Sequence, residues 1–194
     1  IATGSIYMSE INIILIRHGE AAQSWGDHPD PDLSEDGFKQ AKHLQEHSEL
    51  QNLHLYDFIS SPKARAKSTA VPLAKKFNKE IVIDGAFSEI PSGNIDANEK
   101  KQWLTRTMKK DIKNLSEEVA EWRIKLLSEV FGMRNDTIIF SHFMVINALV
   151  GELAKHPNLL HFYPDYTSIT KINLEDGAPK SFSIKGSKKT IINL

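Results

Sequence analysis

Near the start of the chain, Ile11-Asn12-Ile13-Ile14-Leu15-Ile16 form an almost unbroken apolar, mostly β-branched run that stops abruptly at Arg17-His18-Gly19-Glu20. Such a run suits a strand whose two faces are both covered, as helices cover a parallel sheet. The rest of the chain fits that demand. Tyr56–Ile59, Ile81–Ile83 and Thr137–Phe140 read as further short strands, and helical patterns separate them. The expected fold is α/β: a three-layer α/β/α sandwich with a mainly parallel central sheet.

The helices carry start signals. Ser34 precedes Glu35 and Asp36 as an N-cap before acidic residues, with Leu33 and Phe38 at staple positions. Phe38, Ala41 and Leu44 mark the buried stripe of a helix expected to run to about His47. Pro62 at a first helical position with Ser61 as cap opens a second helix, through Ala66, Ala70, Leu73 and Phe77. Val119, Trp122, Leu126 and Val130 recur at helical spacing from about Ser116 to Phe131, where Gly132 ends the run. Ser141 is expected to cap a last helix carrying Val145, Ile146, Leu149 and Leu153. Ser168–Leu174, Ser181–Lys185 and Ile191–Leu194 read as late strands. Residues 88–114, with Pro91, Gly93 and many lysines, resist assignment. Met8 is read as the native start and residues 1–7 as a remnant of an added leader. Residues 8–194 are then one domain with a helical insertion at about 94–132.

Composition removes several function classes. Without cysteine, a disulfide framework, a thiolate zinc site and a cysteine nucleophile are excluded. A net charge of −1 gives no overall reason to bind nucleic acid or an anionic membrane. No basic-then-apolar leader heads the chain and no apolar run approaches bilayer length, so a cytoplasmic enzyme is expected.

In open α/β sheets, ligands bind where strands end at their carboxyl side. Arg17 and His18 follow the first strand there, Arg65 lies one helical turn after the second, Glu89 follows the third, and His142 the fourth. Two imidazoles, two guanidinium groups and a carboxylate beside helix N-termini make a phosphate pocket with a nucleophile or base and a proton donor.

Leu15-Ile16-Arg17-His18-Gly19-Glu20 resembles the signature of the histidine phosphatase superfamily, the phosphoglycerate-mutase-like fold. Three stretches match in order: Asp32-Leu33-Ser34 with Gly37 and Gln40-Ala41, Ser60-Ser61-Pro62 with Arg65-Ala66 and Thr69-Ala70, and Ser141-His142. The resemblance spans about Asn12 to Leu174. It implies that His18 accepts the phosphoryl group, that Arg17, Arg65 and His142 bind its oxygens, and that Glu89 protonates the leaving oxygen and later activates water. It implies no cofactor and no metal. A small phosphorylated metabolite or a phosphoprotein is the expected partner, without nucleic acid or membrane.

The chain departs from the family in places. Phe143 and Met144 stand where the family often has glycines. Ser24, a further phosphate-binding candidate, stands where mutases usually carry asparagine. Long mutase insertions are absent. These departures favour a phosphatase over a mutase; a phosphoprotein-binding module with weak catalysis is the rival from another class. Glu80 and Glu99 bracket Glu89, and Glu20 and Glu99 are the alternative acids. His43-Leu44-Gln45-Glu46-His47 matches an inverted zinc-protease spacing, but the apolar stripe turns both histidines away from the core and no third ligand is evident. The basic run Lys100, Lys101, Arg106, Lys109, Lys110 and Lys113 around Trp103 reads as a solvated face. Asp27, Asp30 and Asp32 with Pro29 and Pro31 read as turn chemistry.

Overall fold

The computed structural model describes residues 9–24 and 27–185. The expected leader at 1–7, the start at Met8 and the strand at 191–194 lie outside the described residues.

Strand β1 (Glu10–Arg17) is central. It pairs in parallel with β4 (Thr137–Ser141) and antiparallel with β5 (Ile169–Glu175). With β2 (Asp57–Ser60), β3 (Ile81–Ile83) and β6 (Ala178–Lys185), the described strands form one sheet in the order β3-β2-β4-β1-β5-β6. The first four in that order are parallel; β5 pairs antiparallel with β1, and β6 antiparallel with β5.

This position explains the apolar run. Ile13 and Leu15 pack on one side with Leu126 and Val130 of α4 (Glu117–Phe131) and with Val145, Ile146 and Leu149 of α5 (Phe143–Leu153). Ile14 and Ile16 pack on the other with Leu44, beyond α1 (Glu35–His43), and with Ala70 and Leu73 of α2 (Ala64–Lys76). Each such side chain contributes roughly 1.5–3 kcal/mol by leaving water. The sandwich therefore has three layers.

A third apolar cluster joins Leu104 and Met108 of α3 (Lys100–Met108) to Val119, Phe143 and Met144. Helix α3 lies in the stretch whose sequence resisted assignment; α3 and α4 are the helices found between 94 and 132. No helix among the described residues is long and apolar enough to cross a membrane.

Several local expectations are corrected. The first helix stops at His43, and 3-10 turns at Leu44–Glu46 and Ser48–Leu50 replace its last turn. Phe38 is 50% exposed and not part of the buried stripe. Gly37, Ala41 and Leu44 take that side instead, because α1 must press its backbone onto the loop after β1. Helix α2 begins at Ala64, not Pro62, with Lys63 as N-cap; Asp30 Oδ1 accepts from Ala64 N at 2.9 Å in place of a local cap. Ser141 belongs to β4 and donates through Oγ to Phe87 O at 2.8 Å, so His142 stands at the N-cap of α5 without a side-chain capping bond.

Candidate active site

β1 feeds α1 on one face of the sheet, while its neighbour β4 feeds α5 on the other. The crevice between their carboxyl ends is a topological switch point. A cavity of about 480 Å³ opens there, lined among others by Arg17, His18, Ser24, Lys63, Arg65 and Glu89.

His18 is 7% exposed. Its Nδ1–H donates to Gly19 O at 2.7 Å, which leaves Nε2 with the lone pair. The obligate donor Arg65 Nε lies 3.2 Å from that Nε2 and requires the same tautomer. Burial, then Arg65 and Arg17, push the imidazole well below its usual pKa, so it is neutral at pH 7. The loop holding it is braced. Gly19 N donates to Thr69 Oγ1 (2.9 Å), Ser34 N donates to Glu20 O (2.8 Å), and Glu20 N donates to Gln40 Oε1 (2.8 Å). A Cβ on Gly37 would sit 2.1 Å from Glu20 O, so α1 approaches this loop only through glycine.

His142 is fully buried and does not line the cavity. Its ring lies 5.2 Å from that of His18. Arg65 Nη2 donates to its Nδ1 at 3.3 Å, so Nε2–H donates to Ser61 Oγ at 2.7 Å. Burial, then Arg65 and His18, also hold His142 well below the usual imidazole pKa.

Arg17 (3% exposed) donates through Nη1 to Pro164 O at 2.9 Å, while its buried Nε–H has no partner. Arg65 (6% exposed) spans both imidazoles. Burial lowers the pKa of both guanidinium groups, but arginine remains charged. An unpartnered buried N–H beside a desolvated cation is a donor set suited to phosphate oxygens.

Glu89 is held from three sides. Ser141 Oγ donates to Phe87 O, Trp122 Nε1 of α4 donates to Ser88 O (3.0 Å), and Met144 N, in the first turn of α5, donates to the Glu89 carboxylate at 3.1 and 3.2 Å. Burial raises its pKa against the pull of Ile90 N, Met144 N and both arginines. It is the sole carboxylate among the described residues lining the cavity. Glu20 is engaged by Ser34 Oγ at 2.7 Å, and Glu80 and Glu99 are exposed.

The structure thus brings Arg17, His18, Arg65, His142 and Glu89 together, with Ser24 on the cavity wall. Phe143 lines the cavity; Met144 packs under α3 instead. His43 and His47 are exposed, and no group of three metal-ligating side chains occurs among the described residues. Asp30 and Asp32 accept from Ala64 N and Leu33 N, as turn and cap chemistry requires. Of the basic run, Lys100 lines the cavity; Lys101, Arg106, Lys109, Lys110 and Lys113 are exposed. Lys63 and Tyr166 also line the cavity and were not anticipated. Tyr166 lies three residues before β5, a strand antiparallel to β1, and such a strand begins at the rim where β1 ends. That pairing is the signal that would have found it.

A family model described as histidine phosphatase superfamily (branch 1) matches residues 13–185. The sequence is 40% identical to 2,3-bisphosphoglycerate-dependent phosphoglycerate mutase of Thermoplasma acidophilum over 85 residues, 41% of this chain and 42% of that protein. It is 38% identical to phosphoserine phosphatase 1 of Hydrogenobacter thermophilus over 87 residues, 43% of this chain and 40% of that one. The matched stretch thus spans about two-fifths of each relative's length. Among solved structures, Bacillus stearothermophilus YhfR aligns with a TM-score of 0.71 over 92% of this chain and 98% of its own, at 20% identity. Mycobacterial glucosyl-3-phosphoglycerate phosphatase aligns at 0.63 over 90% and 97%, also at 20% identity. At such identity the likeness is one of fold.

Proposed function

The chain belongs to the histidine phosphatase superfamily, branch 1, and from that membership we propose that it hydrolyses phosphomonoesters through a phosphohistidine on His18. The observation that carries this reading is the tautomer: a neutral imidazole with Nδ1–H spent on Gly19 O and the Nε2 lone pair beside two guanidinium groups.

Phosphoryl transfer asks mainly for positioning and charge stabilisation, which Arg17 and Arg65 supply. His18 Nε2 attacks phosphorus as the bond to the ester oxygen breaks. Glu89, whose pKa burial raises, is the acid placed to give that oxygen its proton. Water then attacks the phosphohistidine, Glu89 takes a water proton, and the P–N bond breaks to restore neutral His18. His142 takes part from behind Arg65: its Nδ1 accepts from Arg65 Nη2 and its Nε2–H donates to Ser61 Oγ, so it orients the guanidinium that meets the phosphoryl oxygens. Ser24 lies on the wall from which a further donor reaches the substrate.

The substrate is a small phosphorylated metabolite or a phosphoprotein, and no metal takes part in these steps. The relative named as a mutase supports a second reading, return of the phosphoryl group to another acceptor position. Substrate carrying labelled phosphate separates the two. Hydrolysis releases one labelled inorganic phosphate per turnover; a mutase leaves the label esterified. Binding of phosphorylated ligands without either outcome leaves the interaction-module reading.

A further inference from the structure

We propose that Tyr166 is a positioning residue for Arg17: its ring, with that of Phe143, holds the guanidinium so that N–H groups not taken by Pro164 O meet the phosphoryl oxygens. The proposal rests on the phosphate-site reading above. The Arg17 guanidinium carbon lies 4.2 Å from the centre of the Tyr166 ring and 5.1 Å from that of Phe143. Both distances are within cation–π range. Arg17 Nη1 is occupied by Pro164 O at 2.9 Å. Two rings and one carbonyl thus bear on the guanidinium, and Nε–H, buried without a partner, is among the N–H groups left free.

The segment supplying Tyr166 is itself pinned to Arg17. Thr167 N donates to Arg17 O at 2.9 Å, Ser168 N donates to Asp165 O at 3.0 Å, and Tyr166 N donates to Asp165 Oδ1 at 2.8 Å. Thr167 has φ 54°, a left-handed conformation that a β-branched residue adopts only under strain. Further back, buried Asn147 of α5 accepts through Oδ1 from His161 N (2.7 Å) and Phe162 N (2.9 Å). A strained, multiply tied turn that places one aromatic ring on one buried cation fits preorganisation: the donor edge is set before phosphate arrives.

Phosphoryl charge is present in ground and transition states alike, so the effect should fall mainly on binding. In Tyr166→Ala, the KM for nitrophenyl phosphate and the Kd for inorganic phosphate should each rise about ten-fold, with kcat changed by less than about three-fold. Tyr166→Phe should restore most of the affinity; Tyr166→Leu, which keeps bulk without a π face, should not, and serves if the alanine variant fails to fold. In an Arg17→Lys background, where no flat guanidinium remains, Tyr166→Ala should add less than about two-fold. An equal penalty in both backgrounds, an unchanged phosphate Kd in Tyr166→Ala, or full affinity in Tyr166→Leu overturns the proposal. Failure of the wild type to bind inorganic phosphate overturns the phosphate site itself, and the proposal with it.

Discussion

His18 and His142 face the same guanidinium group with opposite nitrogens. Arg65 reaches Nε2 of one and Nδ1 of the other, so the protons sit on Nδ1 of His18 and on Nε2 of His142. The first arrangement leaves His18 Nε2 a lone pair, and the second makes His142 Nδ1 an acceptor that anchors Arg65. Glu89 complements them, because burial holds its proton to a higher pH than an ordinary carboxyl of about 4.3 keeps it. As pH rises through that raised pKa the acid is lost; as pH falls, His18 stays unprotonated until its lowered pKa is reached. Single-turnover phosphorylation by an alkyl phosphate should therefore fall on the alkaline side with Glu89 ionisation. Glu89→Gln should remove that limb and slow an alkyl phosphate by about 10²–10⁴-fold. Nitrophenyl phosphate, whose leaving group needs little protonation, should slow far less. Equal slowing of this first step for both substrates would move the acid role elsewhere.

At the scale of elements, the site depends on how closely α1 approaches the loop after β1. Gly37→Ala would place a Cβ where Glu20 O already lies. Chemical denaturation should show a loss of about 1–3 kcal/mol from this overpacking, and kcat should fall as the Gly19 carbonyl that orients His18 shifts. Unchanged stability would mean that α1 is free to move. The same contact accounts for what the sequence left unread. Amphipathic spacing alone put Phe38 inside, yet the buried side of α1 is chosen by a glycine that must touch backbone. Ser61 and Ser141 carry capping signals, but Ser141 Oγ goes to the Phe87 carbonyl, and Ser61 Oγ takes the His142 N–H besides that of Lys63 at the helix start, so both also build the site. Helix α4 was legible because Val119, Leu126 and Val130 face the interior. Helix α3 was not, since it turns only Leu104, Thr107 and Met108 inward among exposed lysines. The five central side chains were legible for a simpler reason: each follows a parallel strand or opens the helix after it, and that rule needs only strand ends.

For the whole molecule, two imidazoles buried neutral make stability depend on pH. Each has a pKa near 6.5 when unfolded and well below that when folded. Their contribution is complete above pH 6.5 and is lost as pH falls towards the folded values, with a limiting slope of about 2.7 kcal/mol per pH unit for two protons. Glu89 acts in the opposite sense. Its raised pKa favours folding below about pH 4.3 and ceases to do so as pH rises through the folded value. Denaturation midpoints measured from pH 7.5 to 5 should fall, and His142→Gln should flatten the fall by about half. A flat profile in the wild type would mean that the imidazoles are not held neutral.

The central claim is a covalent one, and rapid quench tests it most directly. Wild-type protein mixed with substrate bearing labelled phosphate and stopped within one turnover should carry an acid-labile, alkali-stable label on the peptide containing His18. His18→Ala, folded to the same extent, should carry none and should not turn over. Full turnover by His18→Ala, or label that survives acid and maps to another residue, would contradict the phosphohistidine account.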